Sequence, residues 1–260
     1  MKNAIRSDEK KELGSFYTPD FLADYLAKKL ISLYESELTQ NSKKIINILD
    51  PACGDGKLLV AIKNQLDDSA LKVNQKKGLI VGLDIDKKAV TSSKRNLSVK
   101  NNNNVKIINT NGLLPFNMDF DSGWQRLESH LRIKNKFDLI IANPPWGANK
   151  KIYGEILKKN KFDLLRGQYD TSDLFVESSL RLLNEGGLAA FIIPDSLFYT
   201  ERLNLRKFLV KKTTIKMIGR FGEGIFKDVN RSCAIIIFQK KIAKFRKNRI
   251  CRYNDTGIFR

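Results

Sequence analysis

Asn143-Pro144-Pro145-Trp146 carries no charge, yet it is the segment of the chain with the sharpest chemical meaning. Two consecutive prolines fix the backbone and remove two N–H donors. What remains is a rigid row of acceptors, the Asn143 side-chain oxygen and the Pro144 carbonyl, beside an aromatic ring. Such a row suits a planar amine that offers two N–H donors and whose lone pair is delocalised into a ring, as in adenine N6. Holding both hydrogens favours a tetrahedral nitrogen and turns its lone pair toward an incoming electrophile. Trp146 offers a face on which an extruded base can stack, worth about 1–3 kcal/mol. Taken alone, a Pro-Pro turn with a surface tryptophan is an equally good reading.

A second cluster, Asp50-Pro51-Ala52-Cys53-Gly54-Asp55-Gly56, lacks the G-x-G-x-x-G spacing of a dinucleotide site. Its acidic residues repel a pyrophosphate but suit a cationic amino acid moiety and a sulfonium, and its glycines allow close approach of backbone to ligand. Asp84 is placed to accept from two ribose hydroxyls, the part an acidic residue plays in dinucleotide folds. A nucleoside cofactor without phosphates fits both features. The plain alternative is a strand-turn-helix with Asp55 as its N-cap.

These residues need elements to position them. Continuous apolar runs predict strands at 45–49, 79–83, 105–110, 137–142 and 188–193, with two more at 215–221 and 233–238. Helical spacing predicts helices at 20–32, 57–66, 87–99, 174–183 and 203–210, and Asn184-Glu185-Gly186-Gly187 reads as a helix end. Segments 117–136 and 147–171 read as irregular connections, a class often functional in compact domains. Strands alternating with helices predict an α/β fold with right-handed crossovers. The last two strands leave no room for a crossover helix, so the final strand runs antiparallel. The expectation is a Rossmann-like, doubly wound, seven-stranded mixed sheet. In such sheets ligands bind beyond the carboxyl ends of the strands. The chemistry-bearing residues at 50–56, 84–86, 111–112 and 143–146 all follow strands.

Composition narrows the classes. His130 is the only histidine, which excludes a Ser-His-Asp triad and histidine-rich metal sites. Cys53, Cys233 and Cys251 are odd in number and widely spaced, with neither a disulfide framework nor zinc spacing. No metal is expected. No apolar run approaches the roughly 20 residues of a membrane span, and residues 1–11 are polar, without the apolar core of a signal peptide. The expected location is cytoplasmic, with no membrane partner. A formal net charge of +19 fits a polyphosphate partner such as nucleic acid. A proteome rich in Lys, Asn and Ile produces the same excess, so charge alone decides little.

In order along the chain, Gly14-Ser15-Phe16-Tyr17-Thr18-Pro19, the 50–56 cluster and Asn143-Pro144-Pro145-Trp146 resemble motifs X, I and IV of amino-methyltransferases. The order is similar to that of the gamma group of N6-adenine DNA methyltransferases of restriction-modification systems. Leu174-Phe175-Val176-Glu177, the run from Gly186 to Pro194, and Phe221-Gly222-Glu223-Gly224-Ile225-Phe226 extend the likeness over most of the chain. The resemblance implies a class I methyltransferase fold that uses S-adenosyl-L-methionine and acts on double-stranded DNA. It implies Tyr17 and Thr18 at the methionine end of the cofactor, and Asp50, Ala52 and Gly54 around its amino acid portion. It implies Asp84 on the ribose and Ile85 against the adenine ring. Asn111 stands where the family usually has Asp, and is expected to accept from the cofactor's adenine amine through its carbonyl oxygen. Asn143, Pro144, Pro145 and Trp146 are the expected catalytic residues. Phe226 is expected to pack the target base from the side opposite Trp146, with a core aromatic as the other reading.

The implied organisation is an N-terminal helical segment over 1–40, a catalytic domain over 41–240 and a basic tail or linker over 241–260. Members acting alone carry a target-recognition domain beyond the catalytic one, which these 260 residues lack. A fragment of a longer protein, or a separate specificity subunit, is the expected explanation. Two other readings stand beside this one. Release-factor glutamine methyltransferases and some RNA base methyltransferases share the Asn-Pro-Pro-aromatic motif, and a degenerate DNA-binding chain without turnover is the second.

Overall fold

The computed structural model describes residues 18–38, 46–68, 78–99, 103–133, 136–147, 160–165, 168–226 and 232–240. Seven strands form one sheet: β1 (Ile48–Asp50), β2 (Ile80–Asp84), β3 (Val105–Asn109), β4 (Phe137–Ala142), β5 (Leu183–Pro194), β6 (Thr214–Phe221) and β7 (Cys233–Gln239). Their order is β3-β2-β1-β4-β5-β7-β6. β1 to β5 pair in parallel, and β7 runs antiparallel between β5 and β6. The expected reversed final strand and mixed seven-stranded sheet are therefore present.

Among the described residues six α-helices cover the faces: α1 (Asp20–Glu37), α2 (Lys57–Asp68), α3 (Lys87–Asn96), α4 (Phe120–Leu131), α5 (Thr171–Leu182) and α6 (Leu203–Lys212). Parallel strands covered on both sides need apolar side chains on both sides. β4 and β7 are buried along their whole length. Alternate residues of the central strands feed two cores. Ile140, Ala142, Phe191 and Phe238 pack with α4, α5 and α6, while Leu139, Ile141, Ile192 and Ile237 pack with α1, α2 and α3. α1 contributes Leu22, Ala23, Leu26, Ala27, Leu30, Ile31 and Tyr34, a stripe at helical spacing.

Three local expectations change. Segment 117–136 is not irregular, because it holds α4. Asp119 caps that helix by accepting from Ser122 N–H at 3.0 Å, and Phe120, Trp124, Leu127 and Leu131 bury one face. Asp, Ser and Gly in its first turn are weak helix formers and mask that periodicity. α5 starts three residues earlier than expected, at the capping box formed by Asp170 and Asp173. Residues 184–187 do not end that helix but open β5, with a register shift against β4 between Phe137 and Leu139. No helix among the described residues is long and apolar enough to cross a membrane.

Phe191 and Phe238 stack across the β5–β7 pair with ring centroids 6.0 Å apart and planes 6° from parallel, both fully buried. Phe238→Ala removes the ring that the reversed strand contributes to this stack. It should lower unfolding free energy by about 3–5 kcal/mol, read from urea denaturation; a loss under about 1 kcal/mol would show that the site collapses around the gap.

Candidate active site along the strand ends

The strand order reverses between β1 and β4, and the segments that leave them flank the position where open α/β sheets form their ligand-binding crevice. Asp50, the last residue of β1, is fully buried. Its Oδ1 accepts from Ala52 N–H at 3.0 Å. Its Oδ2 is also buried, with no hydrogen-bond partner among the described residues. Asp84, at the end of β2, accepts from Gly54 N–H through Oδ2 and from Asp86 N–H through Oδ1, both at 2.8 Å. Thr110 N–H donates to the Asp84 carbonyl at 2.9 Å, and Asn109 Nδ2 donates to the carbonyls of Asp84 and Ile85 at 2.9 Å each. The turns after β1, β2 and β3 are thereby fastened to one another. Gly112 allows the third turn to close, since a Cβ there would lie 1.8 Å from the Pro51 carbonyl oxygen.

Burial pushes the Asp50 carboxyl well above the usual carboxylate range; the Ala52 N–H opposes this, and the nearby Asp84 and Asp55 add to it. Burial also raises Asp84, against the N–H groups of Asp86 and Gly54 that stabilise its charge. Asp55 is raised chiefly by burial too. Three carboxylates thus share one partly desolvated place. Among the described residues no group of His, Cys, Asp and Glu is arranged to hold a metal ion.

On the other side of the crevice, Asn143 directly follows β4, and its Nδ2 donates to Thr18 Oγ1 at 3.2 Å. The far end of the Pro-Pro turn is clamped. Gly147 N–H donates to Asp170 Oδ2 at 2.6 Å, and Gly147 carbonyl accepts from Thr171 N–H at 3.0 Å and from the Thr171 hydroxyl. Asp170 and Asp173 are both buried, and Arg202 reaches them at 3.4 and 2.9 Å. Burial raises the Asp173 carboxyl to about 6, although the Asp170 N–H and Arg202 pull it down. Sequence reasoning missed this clamp. The spacing Asp170-x-x-Asp173 is a readable capping signal, whereas nothing near Arg202 in sequence announces its role.

Two expectations meet different geometry. Asn111 Oδ1 accepts from Leu113 N–H at 2.8 Å and Leu114 N–H at 3.2 Å, so both lone pairs expected for an adenine amine are already filled. The end that Asn111 can offer a ligand is its Nδ2 donor. Trp146 and Phe226 are brought together, but they touch each other edge to face, with centroids 5.3 Å apart and planes at 88°. Both are buried. A base enters between them only if the rings part. Ile85 is half exposed beside Asp84. Tyr17 lies outside the described residues.

The sequence model for N-6 DNA Methylase matches residues 2–259. The chain belongs to the N-6 DNA methylase family. Among curated proteins, the chain is similar to the type II methyltransferase M.BanIII of Aneurinibacillus aneurinilyticus. Identity is 29% over 222 residues, covering 83% of this chain and 36% of that one. The type II methyltransferase M.VspI of Vibrio sp. (strain 343) is 28% identical over 268 residues, covering 98% and 55%. This chain therefore spans about a third to a half of the length of these relatives. Among solved structures, a class I S-adenosylmethionine-dependent methyltransferase of Listeria monocytogenes superposes with a TM-score of 0.63 at 25% identity, covering 88% of this chain and 62% of that one. The N-6 DNA methylase fold here is thus that of class I S-adenosylmethionine-dependent enzymes.

Two outcomes are expected from the electrostatics. Asp50→Asn keeps an acceptor for Ala52 N–H and removes the buried charge. The wild-type carboxyl binds its proton more tightly folded than unfolded, so its contribution to stability is present at low pH and lost as pH rises through its raised value. The variant should melt higher than wild type at pH 7, and the gain should narrow toward pH 5 in scanning calorimetry. A lower melting temperature at pH 7 would contradict the burial argument. Arg202→Ala leaves Asp170 and Asp173 without their counter-ion and should cost about 3–5 kcal/mol near neutral pH. Because the stranded Asp173 carboxyl, already raised by burial, can take up a proton, chemical denaturation should show a smaller loss at pH 5 than at pH 7.5.

Proposed function

We propose that this chain carries the catalytic machinery of a DNA adenine-N6 methyltransferase of a restriction-modification system. The observation that carries the reading is the placement of the acidic turn after β1 and the Asn143-Pro144-Pro145-Trp146 turn after β4. They flank one crevice on neighbouring strands, which lie about 4.8 Å apart. A site for a cationic methyl donor and a site for a conjugated amine are thereby side by side.

S-adenosylmethionine, when bound, supplies a methyl group made electrophilic by a sulfonium. The residues fit a ligand that brings positive charge and N–H donors. Asp50 Oδ2 is a buried acceptor awaiting one, and Asp84 and Asp55 reinforce the demand for a cation. Gly54 has a φ of +53°, and the place its Cβ would take is open within 4 Å, so the backbone offers a cradle that a side chain would fill. In this reading Asp50, Ala52 and Gly54 hold the amino acid portion, with Tyr17 and Thr18 at the methionine end. Asp84 receives the ribose while its two backbone donors keep the carboxylate aimed. Ile85 covers the adenine ring, and Asn111 contributes its Nδ2 donor.

The substrate adenine is flipped out of the duplex to reach the crevice, since N6 is not accessible within the stack. Trp146 and Phe226 exchange their mutual contact for contact with the base. Asn143 Oδ1 and the Pro144 carbonyl accept the two N6 hydrogens, and Pro145 keeps the turn rigid. Held in this way by Asn143 and Pro144, the N6 lone pair would face the methyl group that the bound cofactor would supply, and the surplus proton of the amine would leave to solvent. Positioning and amine activation supply the catalysis.

The division into a segment over 1–40, a catalytic domain over 41–240 and a basic stretch over 241–260 belongs to the same proposal, as does a separate source of sequence recognition. The net charge of +19 supports a polyanionic substrate.

The test is transfer of labelled methyl from S-adenosylmethionine to mixed-sequence duplex DNA, with nucleoside analysis and parallel arms offering RNA and protein. N6-methyladenine in the DNA arm is expected. Asn143→Ala should lower transfer at least about a hundredfold with cofactor affinity little changed, whereas Asp50→Asn should weaken cofactor binding. Label confined to RNA or protein, or near-normal turnover in Asn143→Ala, would overturn the proposal.

A further inference from the structure

An asparagine can activate an amine only if its amide faces the right way. Presented oxygen first, Asn143 accepts an N6 hydrogen; turned by 180°, it points two N–H donors at two N–H donors. The terminal torsion of Asn is broad and roughly two-fold, so shape alone does not decide between these states. Some fixed partner must.

We infer that Thr18 is that partner, a positioning residue that sets the orientation of the Asn143 amide. This rests on the proposed role of Asn143 in amine activation. Thr18 Oγ1 accepts from Asn143 Nδ2 at 3.2 Å, across 125 positions of sequence. A threonine hydroxyl can donate as well as accept, so Thr18 selects this state where its own proton goes to the methionine end of the cofactor in the proposed function. Oγ1 then accepts from Nδ2, and Oδ1 is turned toward the substrate amine. The threonine is buried, so water is a poor competitor for this bond.

Thr18 is itself held from two directions. It precedes Pro19, whose carbonyl accepts from Leu22 N–H at 3.1 Å and Ala23 N–H at 3.0 Å as α1 begins. α1 is seated by Leu22, Ala23 and Leu26 in the core that it shares with α2. At its first residue, Asp20 pairs with Lys57 Nζ at 2.7 Å. Lys57 opens α2, the helix that leaves the acidic turn after β1. The hydroxyl that orients the substrate-side amide is therefore carried by an element docked on the helix of the other half of the crevice. Moving α1 relative to α2 would disturb the turn that holds charge and the amide that holds the amine together.

The test compares Thr18→Val, which keeps shape and removes the hydroxyl, with Thr18→Ser, which keeps the hydroxyl. Single-turnover methyl transfer is measured at saturating S-adenosylmethionine and DNA, so that any role of Thr18 in cofactor affinity drops out. Cofactor affinity is titrated separately. The side-chain amide resonances of Asn143, assigned by their loss in Asn143→Ala, are followed by NMR without DNA. Thr18→Val should lower the single-turnover rate about 10- to 100-fold and shift the Asn143 amide resonances. Thr18→Ser should keep the rate within about threefold and leave the resonances in place. A Thr18→Val enzyme with a normal single-turnover rate and unmoved resonances would refute the inference, even if its cofactor affinity had fallen. Should the wild-type chain methylate no DNA, the proposed function fails, and the amide resonances still show whether Thr18 holds Asn143.

Discussion

Asp84 sits where strands stop, and the chain segments leaving three of them share its oxygens. Its carboxylate takes the Gly54 N–H of the turn after β1 and the Asp86 N–H of its own turn. Its carbonyl takes Thr110 N–H and Asn109 Nδ2 at the end of β3. Parallel strands fix the register of the sheet but leave the loops at their ends undetermined. Here a single residue ties those loops together, and the acidic turn, the Ile85 surface and the Asn111 turn all take their positions from it.

The arrangement has a thermodynamic cost. Burial raises the proton affinity of Asp50, Asp55 and Asp84, and the charges of Asp84 and Asp55 raise that of Asp50 further. Such groups are the opposite of what a fold selected only for stability contains. The two apolar cores on either side of the sheet offset the strain, with β4 and β7 buried along their full lengths. The Asn143 side of the crevice is built on another principle, in which buried carboxylates meet a counter-ion. Asp170 and Asp173 are matched by Arg202, and their network grips Gly147 through its backbone. One wall is left short of positive charge and the other is neutralised and rigid. That contrast suits a site in which the ligand supplies the missing charge and the substrate meets fixed acceptors.

Much of this was legible in the sequence because the central strands are short apolar runs bounded by Asp, Asn, Gly and Pro. β4 was readable to the residue, since Asn143-Pro144-Pro145 cannot continue a strand. The reversed β7 followed from the lack of room for a crossover. α4 was not legible, because Asp121, Ser122 and Gly123 weaken its first turn and only packing of Phe120, Trp124, Leu127 and Leu131 decides for a helix. Arg202 was invisible for a related reason: its partners lie about thirty positions upstream. Residue types marked Asn111, Trp146 and Phe226, but types do not reveal which lone pairs the backbone consumes or that two rings close on each other.

The antiparallel course of β7 also governs reach. Cys233 lies beside Pro194 at the crevice edge, and Gln239 lies beside Leu188, so the chain descends away from the crevice as it runs. Lys240 is pinned at the bottom, where its N–H donates to Gly187 carbonyl and its own carbonyl accepts from Gly186 N–H. Whatever is attached after this point starts on the floor of the sheet, not at its rim. Seven strand residues span about 23 Å, so a downstream element meant to touch a substrate in the crevice must climb roughly that height before it can do so. Insertions before β7 begin at the rim already, which makes the β6–β7 connection the shorter route for any part that has to meet a substrate there.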